Sequence, residues 1–292
     1  MCDADTVHGK GQGETMGRRE FAVLGTGTVA AAAFAASLWP ASAAAMDALS
    51  RRDVTITTSA GSVDAYFTAP SSGKHPAVLI WPDIRGLRPT FTAMADRLAA
   101  EGYAVLCVNP FYRWQAGPAM VEGEAFSDAT VRERLFGWMH ALTRPLIDAD
   151  TRDFIAFLDG QDAVDSSRKM AVTGYCMGGA MAIYSAAALP DRVGAVASFH
   201  GGGVGTDKAD SPHLLIGGTK AAYLFAIAQD DDAKEPQEKV RLNDALKPRP
   251  QWHEVEVYPA NHGWCPPDGF AYDEVQAEKA WGRMLAMMAA AL

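Results

Sequence analysis

The stretch Val172-Thr173-Gly174-Tyr175-Cys176-Met177-Gly178-Gly179-Ala180 constrains the fold of this chain more than any other. A short apolar run, 170–172, leads into a glycine-flanked cysteine, and a small-residue segment, 180–189, follows it. This predicts strand, sharp turn and helix. A nucleophile in a G-x-Nuc-x-G frame sits on a strained turn at the top of a sheet, and the flanking glycines let helix and strand backbones close up. A thiol at a helix N-terminus is also drawn toward thiolate, its reactive form, by the positive end of the helix dipole. The competing reading is a buried structural cysteine in a glycine-rich turn. What stands further along the chain decides between them.

The pattern on either side predicts alternating strands and helices. Residues 54–58 and 63–68 alternate apolar and polar around Ser59-Ala60-Gly61-Ser62, as an antiparallel hairpin at a sheet edge should. Residues 77–81 are continuously apolar, which is how a strand covered on both faces reads. A helix over 91–101 and a strand over 103–108 come next. The segment 109–146 is less regular, with Pro110, Gly117, Pro118 and Pro145 bounding a helix over 128–142 long enough to cap a pocket. Further helices are expected over 150–158, 237–246 and 272–290, and strands over 193–199, 223–228 and 255–258. Such alternation calls for an α/β fold with a mostly parallel central sheet and helices on both faces.

The chain has 292 residues, 49% of them hydrophobic, so it can bury a full core as one domain. Its formal charge of −9 and pI near 5.2 argue against nucleic acid and against an anionic membrane surface as partners. Residues 1–45 read as a leader, and 46–292 as the domain. Gly17-Arg18-Arg19-Glu20-Phe21 opens an alanine-rich apolar stretch to Trp39, and Ala41-Ser42-Ala43 satisfies the small-x-small rule for cleavage near Ala43. The paired arginines resemble a twin-arginine export signal. That implies the twin-arginine translocase as a transient partner, a periplasmic or secreted protein, and no stable membrane association after cleavage. An uncleaved anchor is the competing reading, since about 20 apolar residues span a bilayer. Met16 is an alternative start to Met1. Cleavage would remove Cys2 and leave Cys107, Cys176 and Cys265, three thiols that cannot all pair with one another.

In a parallel α/β sheet, sites form where strands end. Cys176 follows one strand, Gln229-Asp230-Asp231-Asp232 follow another, and Asn261-His262-Gly263-Trp264 follow the last. Nucleophile, acid and histidine in that order match the α/β-hydrolase arrangement. His262 would exchange a proton with the thiol while an aspartate fixes its tautomer. Of the seven histidines, His200 also ends a strand but precedes the acid, so His262 is preferred. Asp231 is the chosen acid, with Asp230 and Asp232 open. An oxyanion would take the N–H of Met177, the residue after the nucleophile, and one from the loop Trp81-Pro82-Asp83-Ile84-Arg85-Gly86, where Ile84 is the candidate.

Those segments, together with Ser198-Phe199-His200-Gly201-Gly202, resemble the dienelactone hydrolase family over nearly all of residues 50–290. The resemblance implies a single α/β-hydrolase domain without cofactor or metal. It implies Cys176, Asp231 and His262 as a triad, Met177 and Ile84 as the oxyanion hole, and a lactone such as dienelactone (carboxymethylenebutenolide) or a small ester as substrate. Asp83 stands where the family has a glutamate that holds the resting thiol, so it is expected to influence Cys176. Arg85, Trp264, Arg132 and Arg134 are candidates for holding substrate. The best-known members have a carboxylate-binding arginine four residues after the histidine. Here that residue is Pro266, so a shift toward uncharged or bulkier substrates is expected. Two alternatives stay open: acyl hydrolysis or transfer on other esters and thioesters, and an exported redox-sensitive thiol protein with no enzymatic role.

Overall fold

The computed structural model describes residues 43–292. The expected leader lies outside them except for its last positions, which open a short helix, α1 (Ala43–Asp47). Eight strands then form one sheet: β1 (Leu49–Thr58), β2 (Gly61–Pro70), β3 (Ala77–Trp81), β4 (Ala104–Val108), β5 (Met170–Tyr175), β6 (Val193–Phe199), β7 (Ala222–Ala228) and β8 (His253–Tyr258). Their spatial order is β1-β2-β4-β3-β5-β6-β7-β8. The β1–β2 hairpin and the β2–β4 pair are antiparallel, and every pairing from β4 through β8 is parallel.

The five strands β3 to β7 are buried at every position, as their unbroken apolar runs predict. Side chains alternate between two cores. Leu79 and Trp81 point to one, with Phe154, Leu158, Met181 and Ile183; Val78 and Ile80 point to the other, with Phe91, Leu98, Trp281 and Met284. The first face is covered by α4 (Arg144–Asp159) and α5 (Gly178–Ala188), the second by α2 (Pro89–Ala100) and the C-terminal helix Glu274–Ala291. Helices therefore cover both faces of a mostly parallel sheet.

Three elements differ from expectation. The edge hairpin reaches back to Leu49 and on to Pro70, because its outer residues Ser50 to Asp53 are polar and exposed yet keep the ladder through backbone bonds. Helix α4 begins at Arg144 with Pro145 inside its first turn, where the missing N–H costs nothing, so this proline starts a helix and does not merely bound the preceding α3 (Ala129–Ala141). The three aspartates after β7 lie in the first turn of a short helix, α6 (Gln229–Lys234), which α7 (Glu238–Leu246) follows. Acidic side chains there complement the helix dipole. The C-terminal helix is α8.

Candidate active site

The carboxyl ends of β5 to β8 are joined by backbone bonds beyond the strands. The Cys176 N–H donates to Phe199 O at 3.0 Å, His200 N–H to Ala226 O at 2.8 Å, and Gln229 N–H to Ala260 O at 3.0 Å. Each candidate residue thus hangs from a tied strand end.

At β5 the turn is as tight as the glycine frame predicts. Cys176 has φ +55°, a left-handed conformation rare for a side-chain-bearing residue. A Cβ on Gly174 would fall 1.8 Å from Gly178 O, and one on Gly178 would fall 2.4 Å from Trp81 O. Both glycines are required by contact. The second contact presses the start of α5 onto the loop after β3, which brings the Met177 and Ile84 segments together. Among the described residues neither of their N–H groups is engaged in a turn or loop hydrogen bond.

The aspartate run resolves geometrically. His262 Nδ1 lies 2.6 Å from Asp231 Oδ2. Asp230 instead accepts the His262 backbone N–H at 2.7 Å, and Asp232 pairs with Lys239 at 2.6 Å. With Nδ1 occupied, Nε2 is the ring nitrogen left for the cavity that His262 lines together with Cys176. Burial acts to lower the His262 pKa, but the bonds to Asp231 and Cys176 outweigh it and raise the group to about 10. The imidazolium is therefore the favoured form of His262.

His200 is a buried neighbour of this pair. It also has positive φ, +41°, and its ring centre lies 5.0 Å from that of His262 and 5.3 Å from that of Trp264, edge-on to both. Burial, and then the charge of His262, hold its pKa well below the ordinary histidine value, so it stays neutral. The loop that follows it is pinned by Glu238 on α7. This buried carboxylate accepts the N–H groups of Val204 at 2.6 Å, Gly205 at 2.9 Å and Gly203 at 3.3 Å.

Cys176 opens into a cavity of about 390 Å³ lined also by Asp83, Ile84, Arg85, Met177, His200 and His262. The other candidates are placed differently. Asp83 lines the cavity, but both its oxygens are held by Arg88, at 2.7 and 2.9 Å, so its carboxylate is engaged away from the thiol. Arg85 pairs with Asp268 at 2.9 Å. Arg134 is paired with Glu124 at 2.6 Å, Arg132 donates to the carbonyls of Phe126 and Ser127, and neither lines the cavity. Trp264 is fully buried behind His200, stacked on Tyr258 with centres 5.2 Å apart, and is likewise absent from the wall. None of these three lines the cavity: the arginines have partners beside α3, and the indole is packed in the core.

Several residues around the site went unread. Arg88 is the N-terminal flanking residue of α2, where the helix dipole disfavours a cation, and that oddity signals a partner elsewhere. It also grips Asp268, with Nε 2.7 Å from Oδ2 and Nη2 3.0 Å from Oδ1. Glu238, Phe126, Phe136, Met139 and Phe270 carry no motif and are assembled only by the fold.

The dienelactone hydrolase family profile matches residues 63–292. The chain belongs to the dienelactone hydrolase family. Carboxymethylenebutenolidase of Pseudomonas sp. strain P51 is 28% identical over 70% of this chain and 80% of its own length. Carboxymethylenebutenolidase 1 of Cupriavidus pinatubonensis is 27% identical over 79% and 93%. Among solved structures, a dienelactone hydrolase-like promiscuous phosphotriesterase from metagenomic libraries superposes with a TM-score of 0.66 at 23% identity, covering 83% of this chain and 98% of its own. That last likeness concerns the fold. Members of the dienelactone hydrolase family are hydrolases, and this chain is one, which removes the non-enzymatic thiol reading.

Proposed function

We propose that this chain hydrolyses a lactone or small carboxylic ester through Cys176, His262 and Asp231, by way of a thioester on Cys176. The observation that carries the reading is the 2.6 Å contact between His262 Nδ1 and Asp231 Oδ2 on an imidazole that lines the same cavity as Cys176. Relatives named carboxymethylenebutenolidase support the substrate class.

In this mechanism Cys176 Sγ attacks the carbonyl carbon while its proton resides on His262 Nε2. The carbonyl electron pair moves to oxygen, where the N–H groups of Met177 and Ile84 stabilise the charge. The C–O bond then breaks, and the leaving oxygen takes the proton from His262; in a lactone that alcohol stays tethered to the acyl group. Water next attacks the thioester and gives a proton to His262, and the C–S bond breaks to restore the thiolate–imidazolium pair. Asp231 holds the ring and offsets its charge throughout. Incubating the protein with a slow ester should add the acyl mass to Cys176, and Cys176→Ala should neither gain mass nor turn over. An equally active Cys176→Ala protein would sink the proposal.

We further propose export through the twin-arginine translocase to the periplasm or beyond, supported by Arg18-Arg19 and Ala41-Ser42-Ala43. Intact mass of the exported protein should show cleavage within two residues of Ala43; a membrane-retained species carrying Phe21 to Trp39 would favour an anchor.

A further inference from the structure

The cavity beside Cys176 narrows the substrate further. Apart from the reacting groups, it is walled chiefly by Ile84, Phe126, Phe136, Met139, Pro266 and Phe270. Among the described residues, the one lysine or arginine lining it is Arg85, whose charge is met by Asp268 at 2.9 Å. Arg88, just behind, is shared between Asp83 and Asp268. Two guanidinium groups therefore face two carboxylates, and the cluster offers no net positive charge. On the α3 side, Arg134 is taken by Glu124 and Arg132 by two carbonyls. An anion entering this space would shed water beside Asp83 without gaining an unmatched cation, which disfavours it.

The rim is apolar too. Phe270 is 99% exposed and Phe136 40%, and they reach the cavity from separate elements, the loop after β8 and helix α3. Large aromatic surface left in water at a cavity mouth gains most when a ligand covers it.

We infer that this site selects uncharged esters and lactones with apolar acyl groups, and that Phe136 and Phe270 cover the part of the substrate that projects from the cavity. The inference rests on the hydrolase reading above. Charge discrimination lies in binding as much as in chemistry, so it can be read with and without turnover.

The test pairs 4-nitrophenyl pentanoate with mono-4-nitrophenyl glutarate, which share a leaving group and differ by a terminal methyl against a carboxylate. The neutral ester should show kcat/KM at least about tenfold higher, and Phe136→Arg should reduce that ratio by supplying an unpaired cation. Equal or greater efficiency on the glutarate ester would overturn the inference. If that preference vanished in Arg85→Gln, Arg85 would be assigned as a carboxylate site instead. Protection of Cys176 from iodoacetamide gives the second arm. An uncharged alkyl aryl ketone should protect at concentrations at least about tenfold below those of the matching keto acid, and equal protection would overturn the inference. Should neither ester turn over while the ketone alone protects, the selectivity stands and the hydrolase mechanism falls.

Discussion

Arg88 holds both carboxylate oxygens of Asp83, Nη1 to Oδ1 at 2.7 Å and Nη2 to Oδ2 at 2.9 Å, while the Arg85 N–H donates to Oδ1 at 2.9 Å. The carboxylate is thereby turned into a staple of the loop that carries Ile84. Because Arg88 also grips Asp268, it ties that loop to the wall formed after β8. A residue at position 83 that is free to reach the thiol and one locked by a bidentate guanidinium have different consequences for Cys176, and this fold has the second.

Arg88→Gln should therefore act through the loop. With the staple gone, the Ile84 N–H, the proposed oxyanion donor, loses its fixed position, and an oxyanion donor matters most to the transition state. We expect kcat to fall roughly 10- to 100-fold with KM changed far less, and Arg88→Lys to recover only part of the loss, since an ammonium cannot make the bidentate contact. A change confined to KM would argue against the positioning role. Asp83→Asn, compared with wild type by the pH dependence of iodoacetamide alkylation at Cys176, should give nearly the same profile. A displaced profile would return Asp83 to the thiol.

The triad assignment predicts an internal ranking. Cys176→Ala should abolish turnover, and His262→Ala should lower it by roughly 10³ to 10⁵. Asp231→Asn should cost roughly 10² to 10⁴, whereas Asp230→Asn, which disturbs the acceptor of the His262 backbone N–H and the ion pair with Lys234, should cost under about tenfold. His200→Ala should cost less than His262→Ala, because His200 is buried and neutral and lies beside the relay. Steady-state rates on one ester decide all five, and a reversal within either pair would reassign that role.

How far the sequence carried these roles depends on how local their causes are. Cys176, the aspartate run 230–232 and His262 are legible as strand-end residues because strand ends are marked by unbroken apolar runs, and parallel topology puts such ends side by side. The choice among Asp230, Asp231 and Asp232 is not, since it turns on which side chain of one short helix faces the ring. Residues 253 and 254 of β8 lack an apolar signal, His253 being polar and exposed and Glu254 half-buried, yet His253 still pairs with Tyr223 in the ladder. Arg88 and Asp268 lie 180 positions apart, so no spacing rule could join them. Arg134 is a candidate for holding substrate in the sequence because its charge is visible there, whereas its pairing with Glu124, ten residues earlier, is not.

The raised His262 pKa makes a statement about stability. A histidine that binds its proton more tightly when folded contributes stability fully below its unfolded value of 6.5, and that contribution is lost as pH rises toward about 10. Part of the ring is open to solvent, which screens the effect. Urea midpoints at pH 6, 8 and 10 should fall with rising pH in wild type and fall less in His262→Gln. Parallel declines in the two proteins would show that the Asp231 and Cys176 bonds do not hold the proton in the folded state.

Glu238 offers the sharpest separation between fold and chemistry, because it touches no reacting atom. Its carboxylate receives three N–H groups of the loop after His200, and it is 3% exposed. That loop passes close to Asp231, the proposed triad acid: a Cβ on Gly202 would lie 3.7 Å from its carboxyl carbon. Burial raises the pKa of Glu238 while its three N–H partners act against that rise, so the group is held in place by hydrogen bonds at a desolvation cost. Glu238→Ala would leave three N–H groups without this acceptor, two of them buried, and should destabilise the protein by roughly 2–4 kcal/mol. Glu238→Gln keeps one good acceptor but turns an N–H₂ toward other donors, so it should lose somewhat less. Loosening the loop should also relax the packing around Asp231 and His262. At temperatures where Glu238→Gln is still fully folded by circular dichroism, kcat should drop several-fold with KM little changed. Wild-type kcat in a folded Glu238→Gln protein would mean that Glu238 supports the fold alone and that the loop does not position the triad acid.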